Sequence, residues 1–279
     1  MFSGGINMNK YIRQTLIVFQ NFSLFISAIL GIIFYNCFNL NFYKNFYSKG
    51  NLAPNINTSN DELINNTSNL LDYLNSKAEL NTSWFTEKDI LHMKDVRTLY
   101  NVSFYTMIFF IVLFIITTIL IIILSKHKTM FYITRTFNKT LLAFIILIIV
   151  LAGIISYNFN SFWIKFHQLL FSNDLWLLSP DESNLIKMVP EEFFISLITT
   201  IILHILLLFV ALLVLNNILK KRLKELISIW KKAGKTIIAS EHRIAYLWEM
   251  CDRTIIIEDG RILRNLDKEE MKKITEEEI

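Results

Sequence analysis

The chain has 279 residues, of which 53% are hydrophobic and 23 are phenylalanine. An ordinary soluble single domain is a poor explanation of this composition, because the mean hydropathy is positive and phenylalanine is unusually frequent. The formal net charge of +4 needs no nucleic-acid partner to explain it. Much of the basic excess lies beside apolar segments, where anionic lipid headgroups attract lysine and arginine.

Four apolar segments are long enough to cross a bilayer as helices, which takes about 20 residues. They cover about Leu16–Tyr35, Val102–Leu124, Leu141–Ile155 and Phe193–Leu215, and the third is expected to extend to Tyr157. The N-terminal stretch lacks the small-residue cleavage site of a signal peptide, so the first segment is expected to remain as a helix. We expect translation to start at Met8.

The distribution of lysine and arginine predicts the orientation of these spans. Basic residues crowd the connection between the second and third spans and follow the fourth span at once: Lys126, Lys128, Arg135, Lys139, Lys220, Lys221, Arg222 and Lys224. Because basic loops favour the cytoplasmic side, both termini are predicted to be cytoplasmic. Residues 37–101 and 158–192 are then the segments that face the outer side of the membrane.

The first outer segment begins with an asparagine-rich stretch, 51–60, in which Pro54 argues against a helix. Apolar residues recur at helical spacing over Leu63–Leu74 and predict a helix there. Thr86 is placed to cap a further helix, in whose first turn Asp89 has the charge that a helix N-terminus favours.

The second outer segment is rich in aromatic residues, which are typical of the headgroup level of a membrane. Pro180 and Pro190 divide it into a short helix near 160–170, a turn and a return into the fourth span. After about Leu219 the chain becomes charged, with a β-like run at 236–239. A predicted hairpin follows, with Asp259-Gly260 as its turn.

Two histidines in the outer segments, His92 and His167, are the first candidates for chemistry. Histidines of outer loops are commonly only solvated or hydrogen-bonded. Two imidazoles on segments that converge would nevertheless suit proton transfer, one as base and one as acid. Asp95 lies three positions after His92 on the same predicted helix face. It would either orient that imidazole or belong to a solvated face.

A zinc site is the competing hypothesis, with the two histidines and Asp95 or Asp174 as ligands. The chain has neither a His-Glu-X-X-His spacing nor a cysteine cluster, so we expect no metal and no cofactor. It also lacks the Gly-X-Ser-X-Gly signal of serine catalysis. His204 lies inside the fourth span, where a hydrogen bond across the helix bundle is the expected role.

The outer motifs resemble a known family. Asp-Ile-Leu-His-Met-Lys-Asp-Val at 89–96 is similar to its His-Met-X-Asp-Val signature. The sequence Phe-His-Gln-Leu-Leu-Phe-Ser-Asn-Asp-Leu-Trp-Leu-Leu-Ser-Pro at 166–180, followed by residues 185–194, also matches. On these motifs, residues 8–218 resemble the bacterial family that contains the lipoprotein intramolecular transacylase.

The resemblance implies an all-α polytopic membrane protein, a four-helix transmembrane bundle with a small extracytoplasmic cap. It implies an acyltransferase that moves the sn-2 acyl chain of a diacylglyceryl lipoprotein onto the amine of its N-terminal cysteine. The motif histidines of that family correspond to His92 and His167 as the catalytic pair. Asn173 and Trp176 are plausible positioning groups, with interfacial packing as the alternative. The partners implied are diacylglyceryl lipoproteins and membrane lipid.

The last part of the chain, 219–279, is predicted to be a small α+β cytoplasmic fragment. The chain resembles the C-terminal part of an ABC transporter ATPase of the energy-coupling-factor type over residues 233–243 and 251–262. In this resemblance, His242 corresponds to the histidine that contacts the γ-phosphate of ATP. No Gly-X4-Gly-Lys-Ser/Thr phosphate loop occurs in the chain. We therefore expect no competent ATPase, and we expect the fragment to come from a gene fusion or a chimeric reading frame. The alternative is a non-enzymatic membrane partner or permease-like subunit that docks an ABC ATPase through this tail.

Overall fold

The computed structural model describes residues 10–125, 129–236, 251–258 and 261–271. The chain divides into two compact units, Met1–Asn216 and Asn217–Ile279. The first unit contains all the helices of the predicted outer segments, and the second contains a small sheet. The expected start at Met8 lies outside the described residues, as does the β-like run predicted at 236–239, apart from Thr236.

Four long helices carry the four predicted spans. They are α1 (Lys10–Cys37), α5 (Glu87–Ser125), α6 (Thr129–Tyr157) and α9 (Glu191–Lys232). Each of them contains a stretch long and apolar enough to cross a membrane, which confirms the fold class. The 39 residues of α5 measure about 58 Å along the axis, against a hydrocarbon core of about 30 Å. The charged first part of α5, before Val102, therefore extends beyond the span.

Aromatic packing holds the long helices together. Phe25 of α1 is fully buried, and its ring lies 5.4 Å from Phe137 and 5.1 Å from Phe144, both in α6. The same ring lies 5.3 Å from Phe209 of α9. By contrast, most apolar side chains in the spans of α5 and α6 are exposed. Such a surface is stable where lipid covers it, as expected of helices that face a bilayer.

The expected role of His204 is confirmed. Its Nδ1 lies 3.0 Å from Oδ1 of Asn36 in α1. The Asn36 amide in turn donates to the Ile32 carbonyl at 2.8 Å. The histidine and the asparagine thus satisfy each other across the bundle, where an unpaired polar group is costly.

Short helices from the first outer segment form a small cap. They are α2 (Leu40–Gly50), α3 (Leu52–Asn55) and α4 (Asn60–Leu74). The helix predicted over Leu63–Leu74 is confirmed. The expectation that Pro54 argues against a helix is wrong, because Pro54 is the third residue of α3. The first backbone N–H groups of a helix have no partner within it, so a proline is tolerated there.

The second outer segment contains two helices rather than one. The predicted helix near 160–170 is α7 (Phe159–Leu170), and Pro180 and Pro190 lie on either side of a second helix, α8 (Asn184–Met188). A turn alone was expected in that interval. Ser183 caps α8 by accepting a hydrogen bond from the N–H of Ile186 at 3.2 Å.

The C-terminal unit contains the predicted hairpin. Strands β1 (Arg253–Glu258) and β2 (Arg261–Asp267) pair antiparallel and lead into α10 (Lys268–Met271). The predicted turn Asp259-Gly260 lies outside the described residues, as does His242.

Candidate acid–base site

The site begins at the first turn of α5, where a buried carboxylate joins two remote segments. Asp89 is 0% exposed. Its Oδ2 accepts from the N–H of Thr86 at 3.0 Å, and its own N–H donates to Thr86 Oγ1 at 3.2 Å. The bond to Thr86 Oγ1 confirms the cap that the sequence predicts, and the bond that Asp89 accepts in return completes a reciprocal capping box. Its Oδ1 also accepts from Ser183 Oγ at 2.5 Å, which fixes the start of α8 against the start of α5.

His92 lies on α5 one turn after Asp89 and is only 7% exposed. Its ring meets Phe171 edge to face, with centroids 5.3 Å apart. Its Nδ1 is buried and has no hydrogen-bond partner among the described residues. Burial, with the nearby His167 acting in the same direction, lowers the pKa of His92 to about 4, although Asp95 and Asp89 oppose the shift. The imidazole is therefore neutral at neutral pH.

His167 lies near the end of α7 and is equally buried, at 7% exposed. Its Nδ1 lies 2.8 Å from the Trp163 carbonyl oxygen. Because a carbonyl only accepts, Nδ1 carries the hydrogen, and Nε2 of the neutral ring keeps its lone pair. Burial lowers the pKa of His167, and the bond to Trp163 opposes that shift.

The structure brings the two histidines together. Their ring centroids lie 6.2 Å apart with planes inclined by 34°, although the residues belong to different helices and different outer segments. The ring of Trp163 lies 4.6 Å from His167 on one side, and that of Trp176 lies 4.9 Å from it. Two imidazoles in an aromatic setting can act together on one small reacting group.

Asp95 and Asn173 are also brought together. The Asn173 amide donates to Asp95 Oδ2 at 2.8 Å. The sequence left two roles open for Asp95, orienting His92 through a ring N–H or belonging to a solvated helix face. His92 Nδ1 has no hydrogen-bond partner among the described residues. Asp95 instead ties α5 to the loop that leads to Trp176.

Sequence reasoning missed several residues that build this site. Asp89 was recognised only as a helix-start charge, and its bond to Ser183 joins residues 94 positions apart. The Trp163 carbonyl and the Phe171 ring had no sequence signal beyond their closeness to His167. The Asn184 amide, which also had no sequence signal, donates to the Trp84 carbonyl at 2.8 Å.

The described residues do not form a metal site. Among them, no three or more His, Cys, Asp or Glu side chains are grouped so as to hold a metal ion. Asp174, the alternative zinc ligand considered from the sequence, is exposed.

An open groove of about 430 Å³ adjoins the site without including either histidine. It is lined by residues of the α5 start and of the loop after Trp176: Thr86, Glu87, Lys88, Leu91, Leu177, Leu178, Ser179, Glu182 and Ser183. The Lys88 ammonium donates to the Leu177 carbonyl at 2.5 Å, so the two walls are joined by a hydrogen bond.

Four apolar helices with a buried histidine pair on their outer segments define an integral membrane protein. The family model of the lipoprotein intramolecular transacylase Lit matches residues 18–194, more than half of the sequence, and the chain belongs to that family.

Solved structures show the same fold. The membrane integral lipoprotein intramolecular transacylase Lit from Bacillus cereus superposes with a TM-score of 0.65 at 24% identity, over 77% of this chain and 100% of that one. A variant of that protein with one histidine replaced by alanine gives a TM-score of 0.63 at 23% identity, over 77% and 96% of the two chains.

A second, short stretch of the chain is similar to proteins of another kind. Two proteins of Treponema denticola, each described as "Putative ABC transporter ATP-binding protein", are 51% and 40% identical to this chain over 47 residues. That is 17% of this chain and 10% of each relative. The chain thus spans about a tenth of the length of these curated relatives.

Proposed function

We propose that the chain transfers the sn-2 acyl chain of a diacylglyceryl lipoprotein to the α-amine of the lipoprotein's own N-terminal cysteine. The observation that carries this proposal is the pair of buried imidazoles, His92 and His167, with ring centroids 6.2 Å apart. The pair occurs in a membrane protein of the transacylase family. Both histidines are neutral at rest because burial lowers the pKa of each.

The reaction balances without water or a cofactor. The amine nitrogen attacks the ester carbonyl carbon, and a tetrahedral intermediate forms. The bond from carbonyl carbon to glyceryl oxygen then breaks, so that one amide and one free glyceryl hydroxyl result. The proton that leaves the nitrogen is equivalent to the one that the glyceryl oxygen needs. The amine must first be free of its extra proton, which its ordinary pKa of about 8 allows in part at neutral pH.

In this proposal, His167 is the base. The Trp163 carbonyl holds a hydrogen on Nδ1, and the Nε2 lone pair of the neutral ring takes the proton from the attacking nitrogen. The same carbonyl stabilises the imidazolium that forms. His92 then relays the proton to the glyceryl oxygen. Because burial lowers the pKa of His92 to about 4, its protonated form is a stronger acid than an ordinary imidazolium and does not retain the proton.

The supporting residues act by position. The bond from Asn173 to Asp95 holds the loop that carries Trp176, and the Trp176 ring stands 4.9 Å from that of His167. We propose that this arrangement keeps the ester and the amine near each other. Holding two reacting groups in place can supply much of the rate acceleration, because donor and acceptor belong to one molecule.

We further propose that the site faces the outer side of a bacterial cytoplasmic membrane, with both termini in the cytoplasm. The support is the concentration of lysine and arginine between the second and third spans and after the fourth. A lipoprotein carries its lipid on that outer face, and its peptide extends away from the membrane.

The test is a synthetic diacylglyceryl-cysteine lipopeptide with palmitoyl at sn-1 and oleoyl at sn-2, incubated with the full chain in proteoliposomes. Tandem mass spectrometry should find N-oleoyl product with palmitoyl left on the glycerol. A deuterated substrate mixed with an unlabelled one should give no crossed product. An N-palmitoyl product, or acyl exchange between molecules, would contradict the proposal.

For the C-terminal unit we propose no ATP hydrolysis. The 47-residue likeness to ABC transporter ATP-binding proteins covers a small fraction of those proteins, and the chain has no phosphate-binding loop. The second candidate function, docking of an ABC ATPase through residues 223–279, is supported by that short likeness alone. A remnant contact of this kind would leave acyl transfer unaffected.

A further inference from the structure

We infer that the groove beside the histidines binds the peptide that follows the acylated cysteine of the substrate. This inference rests on the proposed function and extends it to the part of the substrate that does not react. The groove has a volume of about 430 Å³, within the range of sites for small ligands. A few amino-acid residues fit such a space, and a folded domain does not.

Both walls of the groove continue directly from the reacting site. On one wall, Leu91 precedes His92 on α5; on the other, Leu177 follows Trp176. Since Trp176 packs beside His167, each wall is the chain neighbour of a residue in the site. In this inference, a substrate whose cysteine lies at the histidines extends its next residues into the groove.

The direction along α5 also fits the three parts of the substrate. Going from His92 toward Val102, where the apolar span begins, the helix rises about 15 Å. Going the other way to Thr86, it rises about 9 Å. The groove thus lies on the side of the histidines that is away from the membrane span. The acyl chains belong toward the span and the peptide toward the groove.

The charges of the groove indicate which peptides it favours. Glu87 and Glu182 are exposed carboxylates on its lining, while the Lys88 ammonium donates to the Leu177 carbonyl. Ser179 Oγ accepts from the N–H of Asp181 at 3.3 Å and keeps its own hydrogen for a peptide carbonyl. A basic or neutral peptide is therefore expected to bind better than an acidic one.

The experiment uses the full chain in proteoliposomes of zwitterionic lipid, so that the membrane surface adds no charge preference. Three substrates share one diacylglyceryl cysteine: the cysteine amide alone, and the cysteine followed by Ser-Lys-Lys-Ser or Ser-Glu-Glu-Ser. Turnover of each is measured in the unmodified chain, in Glu182→Lys and in Glu79→Lys. The last is the matched control, an exposed glutamate of the first outer segment that does not line the groove.

The unmodified chain should show a KM for the basic lipopeptide about two- to fivefold below that for the acidic one, the size expected of an exposed ion pair. Glu182→Lys should abolish or reverse this preference, and Glu79→Lys should preserve it with kcat unchanged. KM for the cysteine amide should be the same in all three proteins.

Equal KM values for the three substrates would overturn the inference while leaving acyl transfer established. A loss of preference as large in Glu79→Lys as in Glu182→Lys would also overturn it, since the effect would then come from overall charge. A change in KM for the cysteine amide in Glu182→Lys would assign the groove to the lipid part of the substrate instead. Absence of turnover with all three substrates would contradict the proposed function itself, and the inference with it.

Discussion

The histidine site and the C-terminal unit differ in how their polar groups are satisfied. In the site, hydrogen bonds join residues far apart in sequence, as between Ser183 and buried Asp89, 94 positions away. In the C-terminal unit, the ion pair of Lys231 with Asp252 leaves the two side chains 38% and 63% exposed. Exposed pairs contribute little, whereas buried polar groups are costly to leave unpaired. Function is therefore expected to be sensitive to single changes in the first region and insensitive to changes in the second.

The largest expected effect is on the histidines. His92→Ala and His167→Ala should each lower the rate of acyl transfer by at least about a hundredfold, the contribution typical of a positioned acid or base. Mass spectrometry of the N-terminal peptide of a reporter lipoprotein measures the N-acylated lyso form. His242→Ala, a histidine of the C-terminal unit, is the matched control and should leave the product level unchanged.

If either outer-segment variant still makes the lyso form at the normal rate, that histidine is not catalytic. A loss of product in His242→Ala would remove the contrast between the two regions.

A smaller effect is expected at Asp89, which we regard as a positioning residue. Asp89→Ala removes the acceptor of Ser183 and of the Thr86 N–H. It should lower the free energy of unfolding by about 1–3 kcal/mol. It should also reduce kcat about tenfold with little change in KM, because the two histidine rings would no longer be held in their relative positions. Thermal unfolding in detergent and steady-state kinetics measure the two effects.

Asp89→Asn keeps an acceptor for Ser183. Its free energy of unfolding and its kcat should therefore lie between those of the unmodified chain and those of Asp89→Ala. Asp181→Ala, which changes an exposed aspartate of the second outer segment, should shift the free energy of unfolding by no more than about 0.5 kcal/mol. A drop in kcat as large in this control would argue against a special role for Asp89.

The pH dependence of stability tests the burial of His92. Its pKa is about 4 in the folded chain and about 6.5 when unfolded. Between these values the unfolded state binds more protons, so the free energy of unfolding falls as the pH is lowered. From pH 6.5 to pH 5 the unmodified chain should lose about 1–2 kcal/mol more than His92→Gln. Urea unfolding in mild detergent gives the two slopes, and equal slopes would mean that His92 is solvated.

The smallest effect is expected on removing the C-terminal part. Deletion of residues 223–279 should leave the acyl-transfer rate within about twofold, because exposed local contacts support no distant group. The reporter assay described for the histidines measures it, with membrane insertion checked by detergent extraction. A loss of activity in a correctly inserted protein would show that the tail takes part in function.

Local patterns in the sequence predict much of this architecture. The length of the apolar segments predicts the four spans, helical spacing predicts α4, and a turn signal between two apolar runs predicts the hairpin of β1 and β2. The capping of α5 by Thr86 follows from neighbouring residues alone. The errors occur where the signal is weakest: Pro54 lies inside a one-turn helix, and α8 forms in a segment predicted to be only a turn.

By itself, the sequence determined the membrane character of the chain and the two histidines that its motifs single out. Only the tertiary structure decided the tautomer of one histidine and the protonation state of the other. The bond from His167 to the Trp163 carbonyl selects which nitrogen is free, and burial keeps His92 neutral. The physical reason is that spans and turns depend on residues close in sequence. Burial, tautomers and the contact of Asp89 with Ser183 depend instead on which distant segments pack together.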